Sequence, residues 1–342
     1  MKKFLLLILL VVPFNVSASF AVMDMDSKRI LYENNMHEQK LIASTSKIMT
    51  AMVVIRNADL DKIIEVTPEV LKSFGSGIYI EVGEHISIRD LLYGLLLRSG
   101  NDAAIALACE VGGSMEGFTL MMNELAKSIG MNNTKFINAS GLEDNKGNGN
   151  ISTSYDMALL MSFAMQDNTF REITKTKKHI VKTDYKTYEW HNKNKLLYQY
   201  KYTTGGKTGY TIKADRTLVT SASRDDRNVC IVTLDEEDDF NLHKNYYEKV
   251  FKKYKLVNII DKDYFLKDEG LYVKDSFDML LLDSEIDKVK IDVNMTDDVI
   301  NRAGYVRILL DDIEYYRENI EYIKVKENLS FWDKVLKFFR LK

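Results

Sequence analysis

From Ser19 to about Leu256, stretches with apolar residues at helical spacing interleave with stretches that read as strands, whereas from about Val257 to Glu327 only short strand-like runs occur between Asp-rich turns. This change of texture constrains the fold most. It predicts a mixed helix-and-sheet domain over 19–256 and a small all-β domain over 257–327. In the first, Ala21 to Met25 and Ile30 to Tyr32 read as a hairpin, and Ser46 to Arg56 as a helix. Ile88 to Val111 reads as helical with a break near Gly100, and Arg216 to Ala222 and Asn228 to Leu234 as adjacent strands. Leu242 to Tyr254, where Tyr246, Tyr247, Val250, Phe251 and Tyr254 recur at helical steps, leads into the join. In the second, Leu280 to Leu282, Val289 to Val293 and Tyr305 to Leu310 are the strand-like runs.

The two ends differ from this interior. Lys2 and Lys3 precede an apolar run from Phe4 to Phe14, and Val16-Ser17-Ala18 supplies small residues where a signal peptidase reads. The run is short for a bilayer span of about 20 residues, so residues 1–18 are expected to be a signal peptide cleaved after Ala18. At the other end, Leu329, Phe331, Trp332, Val335, Leu336, Phe338 and Phe339 fall on one half of a helical projection, and Lys334, Lys337 and Arg340 on the other. Such a helix suits a membrane interface, and Asn328 to Lys342 is expected to anchor the chain to a membrane surface.

Composition removes several function classes. A formal net charge of −3 gives no global basic field for nucleic acid. With 2 Cys and 2 Pro there is no disulfide framework, Cys-based zinc module or Pro-rich scaffold. The 5 His are scattered without metal-ligand spacing, which argues against a His-bound metal. Cys109 and Cys230 both lie in apolar stretches and read as buried, unpaired thiols.

Three short motifs carry chemistry. Ser44-Thr45-Ser46-Lys47 puts a hydroxyl and an amine three residues apart at a helix start, on one face, where a lysine of lowered pKa can take the serine's proton. Ser99-Gly100-Asn101 sits at the glycine break between two apolar helices, a hydroxyl and an amide placed to pass a proton and hold a substrate amide. Lys207-Thr208-Gly209, with Tyr210 after it, offers a glycine for close approach to a strand edge, a cation, and a hydroxyl that can bond a carboxylate. Each alone is also an ordinary helix start, helix connection or glycine-rich turn.

In this order the three motifs match a known pattern. The chain resembles the low-molecular-mass penicillin-binding proteins that act as D-alanyl-D-alanine carboxypeptidases, the S11 serine peptidases. Gly83-Glu84, Asp90 to Leu96 leading into Ser99 to Ala104, and Phe136-Ile137-Asn138 with Gly141-Leu142 carry the resemblance further. The chain departs from the family at Lys40 to Ala43, where a proline is usual, at Asn150 or Ile151, where a histidine is usual, and at Ala214-Asp215, where Ala-Gly is usual.

The resemblance implies a transpeptidase or β-lactamase-like α/β (α+β) domain, an antiparallel sheet flanked by helices. It implies acyl transfer by Ser44 with Lys47 as base and Ser99 as proton relay. Asn101 would hold the substrate amide, Lys207 and Thr208 the terminal carboxylate, and the backbone amides of Ser44 and Tyr210 the oxyanion. The substrate would be a peptidoglycan stem peptide, with β-lactams as covalent inhibitors and no cofactor. The protein would work outside the cytoplasm on the outer face of the membrane. A β-lactamase, an endopeptidase or transpeptidase, and a non-catalytic wall-binding protein are the rival readings.

Overall fold

The stretch read as a helix from Ser46 forms α1 (Lys47–Asn57), and it is buried on every side: Ile48, Met49, Ala51, Met52, Val53 and Val54 all face protein. A helix apolar around its whole circumference belongs in an interior. The computed structural model describes residues 18–262, 271–295 and 304–322. The expected signal peptide and terminal amphipathic helix lie outside these, apart from Ala18. Among the described residues no helix is long and apolar enough to cross a membrane.

A five-stranded sheet forms from β1 (Ser19–Asp24), β2 (Ile30–Asn34) and three later strands, in the order β2, β1, Arg227–Leu234, Asp215–Arg224, Thr203–Thr211. The expected hairpin is present, with Val22 opposite Tyr32 in antiparallel pairing. The strand Thr203–Thr211 pairs antiparallel with Asp215–Arg224 and ends the sheet, so among the described residues its other edge takes no strand. Helices Asn101–Gly112, Met115–Ser128, Ser154–Ala164 and Asn168–Lys175 complete the mixed domain. Side chains of Ser114, Thr153 and Asp167 accept from backbone amides at three of their starts, as good N-caps do.

Near the expected break at Gly100 the chain runs from Ile88–Tyr93 into a π-helical segment, Gly94–Arg98, and restarts at Asn101. The left-handed residue at the break is Ser99, with φ 65°, while Gly100 is extended. Cys230 is fully buried as expected, but Cys109 is partly exposed, because its helix turns that face toward a groove lined by Glu69, Glu110 and Met115.

Contacts divide the chain into two compact units. One takes in the chain to Met23, Ile30–Arg224 and Asn228–Glu248; the other takes in Asp24–Arg29, Asp225–Arg227 and the chain from Lys249. The second unit holds a four-stranded sheet and a two-stranded one, around a core of Ile260, Phe277, Met279, Val306 and Ile308. Within it, Arg29 pairs with Glu285 at 2.6 Å and donates to the Leu280 carbonyl at 2.7 Å.

In the first unit, His243 on the helix Asp239–Lys253 is fully buried, its two ring nitrogens 2.7 Å from Thr220 Oγ1 and 3.1 Å from Thr233 Oγ1. Desolvation lowers its pKa from 6.5 to about 3. The folded protein therefore keeps this ring neutral while the unfolded chain protonates it. Its contribution to stability is complete above pH 6.5 and falls as pH drops toward 3. Denaturant unfolding between pH 7 and 4 is expected to lose up to about 1.4 kcal/mol per pH unit from this group, and His243→Gln to reduce that slope by about one proton.

Candidate active site

The residues Ala43–Ser46 form a 3₁₀ turn that runs straight into α1. Ala43 adopts a left-handed φ of 45°, a conformation that costs an L-residue roughly 1–2 kcal/mol. The neighbours hold it there: Ser46 Oγ donates to the Ala43 carbonyl at 2.7 Å, and Thr45 Oγ1 and Thr217 Oγ1 both donate to the Ile42 carbonyl. Gly141, itself at φ 85°, passes so close that a Cβ there would lie 1.9 Å from the Ala43 oxygen. Only glycine fits.

Lys47, at the first position of α1, is fully buried. Its Nζ lies 3.0 Å from Ser44 Oγ, 2.8 Å from Asn101 Oδ1 and 2.5 Å from the Ser140 carbonyl. Burial, reinforced by the nearby Lys193 cation and opposed by Asp102, lowers its pKa from 10.5 to about 7. A neutral amine has two hydrogens and one lone pair, which matches two carbonyl-type acceptors and one hydroxyl.

Asn150, at a position noted in the sequence as departing from the family, holds the floor of this arrangement. Its side chain accepts from the Ile137 and Asn138 amides and donates to Ser46 Oγ and the Asn138 carbonyl. Asn138 in turn accepts from the Ser140 and Gly141 amides. The loop that presents the Ser140 carbonyl is thus fixed from below.

Ser99 Oγ is buried and has no partner among the described residues. Asn101 was expected to hold a substrate amide; here its Oδ1 accepts from Lys47 and its Nδ2 donates to the Phe74 carbonyl at 2.6 Å. Asp102 accepts from the Ile78 and Tyr79 amides and so secures the same 74–79 loop.

The Lys207-Thr208-Gly209 motif lies on the edge strand, and a Cβ on Gly209 would stand 3.0 Å from the Ser44 amide and 2.3 Å from Thr217 Oγ1. The strand passes directly over the turn that carries Ser44. Lys207 is buried, donates to the Thr208 carbonyl at 2.6 Å, and has its pKa pushed well down by burial first and by Lys47 and Lys193 next. Thr174 pins the strand from the helix Asn168–Lys175: its hydroxyl accepts from the Gly206 amide at 2.9 Å and donates to the Gly206 carbonyl at 3.1 Å. Tyr210 turns its ring outward.

A cleft of about 280 Å³ opens here, lined by Ser44, Ser99, Thr208, Gly209 and Tyr210 from the motifs. Lys47 bonds Ser44 of this lining and Asn101, and Lys207 is near enough to Lys47 for their charges to interact. Ser76, Lys193, Lys195, Arg216, Asp239 and Phe240 complete the lining, and no motif flagged these; they come from separate stretches and are joined only by folding. Ser140 was missed as well, although Gly141-Leu142 beside it was part of the resemblance. Among the described residues no cluster of three His, Cys, Asp or Glu is placed to hold a metal.

A buried lysine lies against a serine at a helix start, under a glycine-bearing edge strand. The family model for D-alanyl-D-alanine carboxypeptidases, peptidase family S11, matches residues 12–238, and the chain belongs to that family. It is 32% identical over 212 residues to the D-alanyl-D-alanine carboxypeptidase DacF of Bacillus subtilis, covering 60% of this chain and 54% of that protein. It is 36% identical over 218 residues to the D-alanyl-D-alanine carboxypeptidase of Streptomyces sp. strain K15, covering 58% and 74%. The solved structure of penicillin binding protein 6B from Escherichia coli superimposes with a TM-score of 0.70 at 26% identity, over 88% of this chain and 93% of that one.

A base acts only when unprotonated, so the rate of Ser44 acylation by a fluorescent penicillin is expected to rise about tenfold per pH unit up to an inflection near 7, the pKa of Lys47. Lys47→Arg, which cannot lose its proton, is expected to lower that rate at least 100-fold, on the order of one general-base contribution.

Proposed function

We propose that the protein is a serine-type D-alanyl-D-alanine carboxypeptidase that removes the terminal D-alanine from peptidoglycan pentapeptide stems. The observation that carries this reading is Lys47 Nζ, buried with a pKa of about 7 and 3.0 Å from Ser44 Oγ.

In the neutral amine, two N–H bonds reach Asn101 Oδ1 and the Ser140 carbonyl, which leaves the lone pair for the Ser44 proton. Ser44 Oγ then attacks the carbonyl of the penultimate D-alanine. The oxyanion falls to the amides of Ser44 and Tyr210; the close passage of Gly209 over the Ser44 amide supports this pairing. Each such donor is worth about 3 to 4 kcal/mol in other serine enzymes. The unpartnered Ser99 hydroxyl passes a proton to the departing amine. The stem peptide lies along the free edge of Thr203–Thr211 as an added strand, with Lys207 and Thr208 toward its carboxylate and Asn101 toward its amide. That last role requires Asn101 Nδ2 to release the Phe74 carbonyl. Water then frees the acyl group, and β-lactams follow the first half of the same path. Through this trimming the enzyme limits cross-linking and affects cell shape.

The work takes place outside the cytoplasm, after export by residues 1–18, with Asn328 to Lys342 holding the enzyme to the outer face of the membrane.

Mass spectrometry of a pentapeptide stem after incubation is expected to show loss of one alanine, abolished in Ser44→Ala; cross-linked product or an unchanged peptide would each refute the reading. Truncation before Asn328 in a chain lacking residues 1–18 is expected to release the protein from vesicles, and unchanged binding would rule out the anchor.

A further inference from the structure

We infer that Arg216, clamped by Asp239, is a binding residue for the substrate's terminal carboxylate and sets the preference for a free acid at that end. The inference rests on the carboxypeptidase reading and adds a residue to it.

Arg216 stands on the strand Asp215–Arg224, directly opposite Tyr210 and next to Thr217, the partner of Gly209. It therefore shares the cleft wall with Thr208, Gly209 and Tyr210. Its Nη2 donates to Asp239 Oδ1 at 2.6 Å, and its guanidinium lies 5.6 Å from the Phe240 ring centre. Within this pair the acid is covered and the base presented: side-chain exposure is 4% for Asp239 and 39% for Arg216. Asp239 accepts from the Phe240 amide as well and takes one donor of Arg216, Nη2. Arg216 Nε is buried with no partner among the described residues, so the ion pair leaves the guanidinium's hydrogen-bonding capacity unfilled.

Two other cations line the cleft. Lys193 Nζ donates to Ser76 Oγ at 3.2 Å, and Lys195 lies 5.9 Å from the Phe240 ring centre. Neither is held by an acid there. Arg216 is held between a buried carboxylate and an aromatic face, so it loses little freedom on binding. A planar guanidinium fixed in this way suits a carboxylate, which it can meet with parallel N–H bonds. Thr208 Oγ1 supplies a hydroxyl beside it. A peptide ending in a carboxamide has no negative charge for this wall and is discriminated against.

The test compares an acyl-D-Ala-D-Ala peptide with the same peptide ending in a carboxamide, and in parallel benzylpenicillin with its methyl ester, using the full chain without its signal segment. Arg216→Gln is expected to lower kcat/KM for the acid about 10- to 100-fold, the range of a hydrogen bond to a charged group. The loss should appear in KM, with the amide and ester rates unchanged, so the acid-over-amide ratio collapses by the same factor. Arg216→Lys is expected to restore part of the ratio. Should Arg216→Gln fail to fold, Asp239→Asn keeps the cation but loosens it, and a fall in the same ratio of about threefold or more is expected. Equal losses for acid and amide, or an unchanged ratio, would overturn the inference. If the wild-type protein cleaves neither peptide yet is acylated by penicillin, the carboxypeptidase reading fails, and the penicillin-to-ester ratio still decides the role of Arg216.

Discussion

Two fully or nearly fully buried lysines at the head of one cleft are the constraint around which the rest is arranged. An ammonium ion taken from water into protein pays a desolvation penalty of several kcal/mol unless it is paired, and no carboxylate bonds to Lys47 or Lys207 among the described residues. The fold offers neutral oxygens instead: a side-chain amide, two backbone carbonyls and a serine hydroxyl. These neutral oxygens stabilise an ammonium ion less than a carboxylate would, so burial decides, and both pKa values come down. The pKa of about 7 at Lys47 is thus a product of packing. It would be lost if water entered beneath α1.

Holding that arrangement requires unusual backbone at several points. Ala43 and Ser99 are left-handed without being glycines, and Gly141 and Gly209 leave room where a methyl group would collide with the nucleophile turn. The cost is spread over a surrounding set of hydroxyl and amide bonds, from Thr45, Ser46 and Thr217 to Asn138 and Asn150. Strain gathers beside Ser44, and the buried helix α1 and the sheet absorb it.

Much of this was legible in the sequence because it depends on local spacing. Ser44 and Lys47 are one helical turn apart, the hairpin from Ala21 alternates, and Gly205, Gly206 and Gly209 announce a strand that something approaches closely. The rest depends on tertiary meeting. Nothing near Asn150 in the chain says that it lies under Ser46, and nothing near Arg216 says that Asp239 will clamp it. The left-handed residue at the helix break was masked by its glycine neighbour: glycine tolerates that conformation best, yet it fell on Ser99, a residue of the cleft lining. Cys109 sits in an apolar run, but a helix has more than one face, and the burial of that face is decided by what packs on it.

The grip of Thr174 on both polar groups of Gly206 has a wider meaning. Side chains alternate along a strand, so a slide of a single residue would exchange the places of Lys207 and Thr208 and lift the amine from its buried seat. A glycine-rich edge with one neighbour is the part of a sheet most prone to slide. The hydroxyl on the flanking helix acts as a ratchet pawl, and which side chain of the strand faces the interior is thereby chosen by a group on another element.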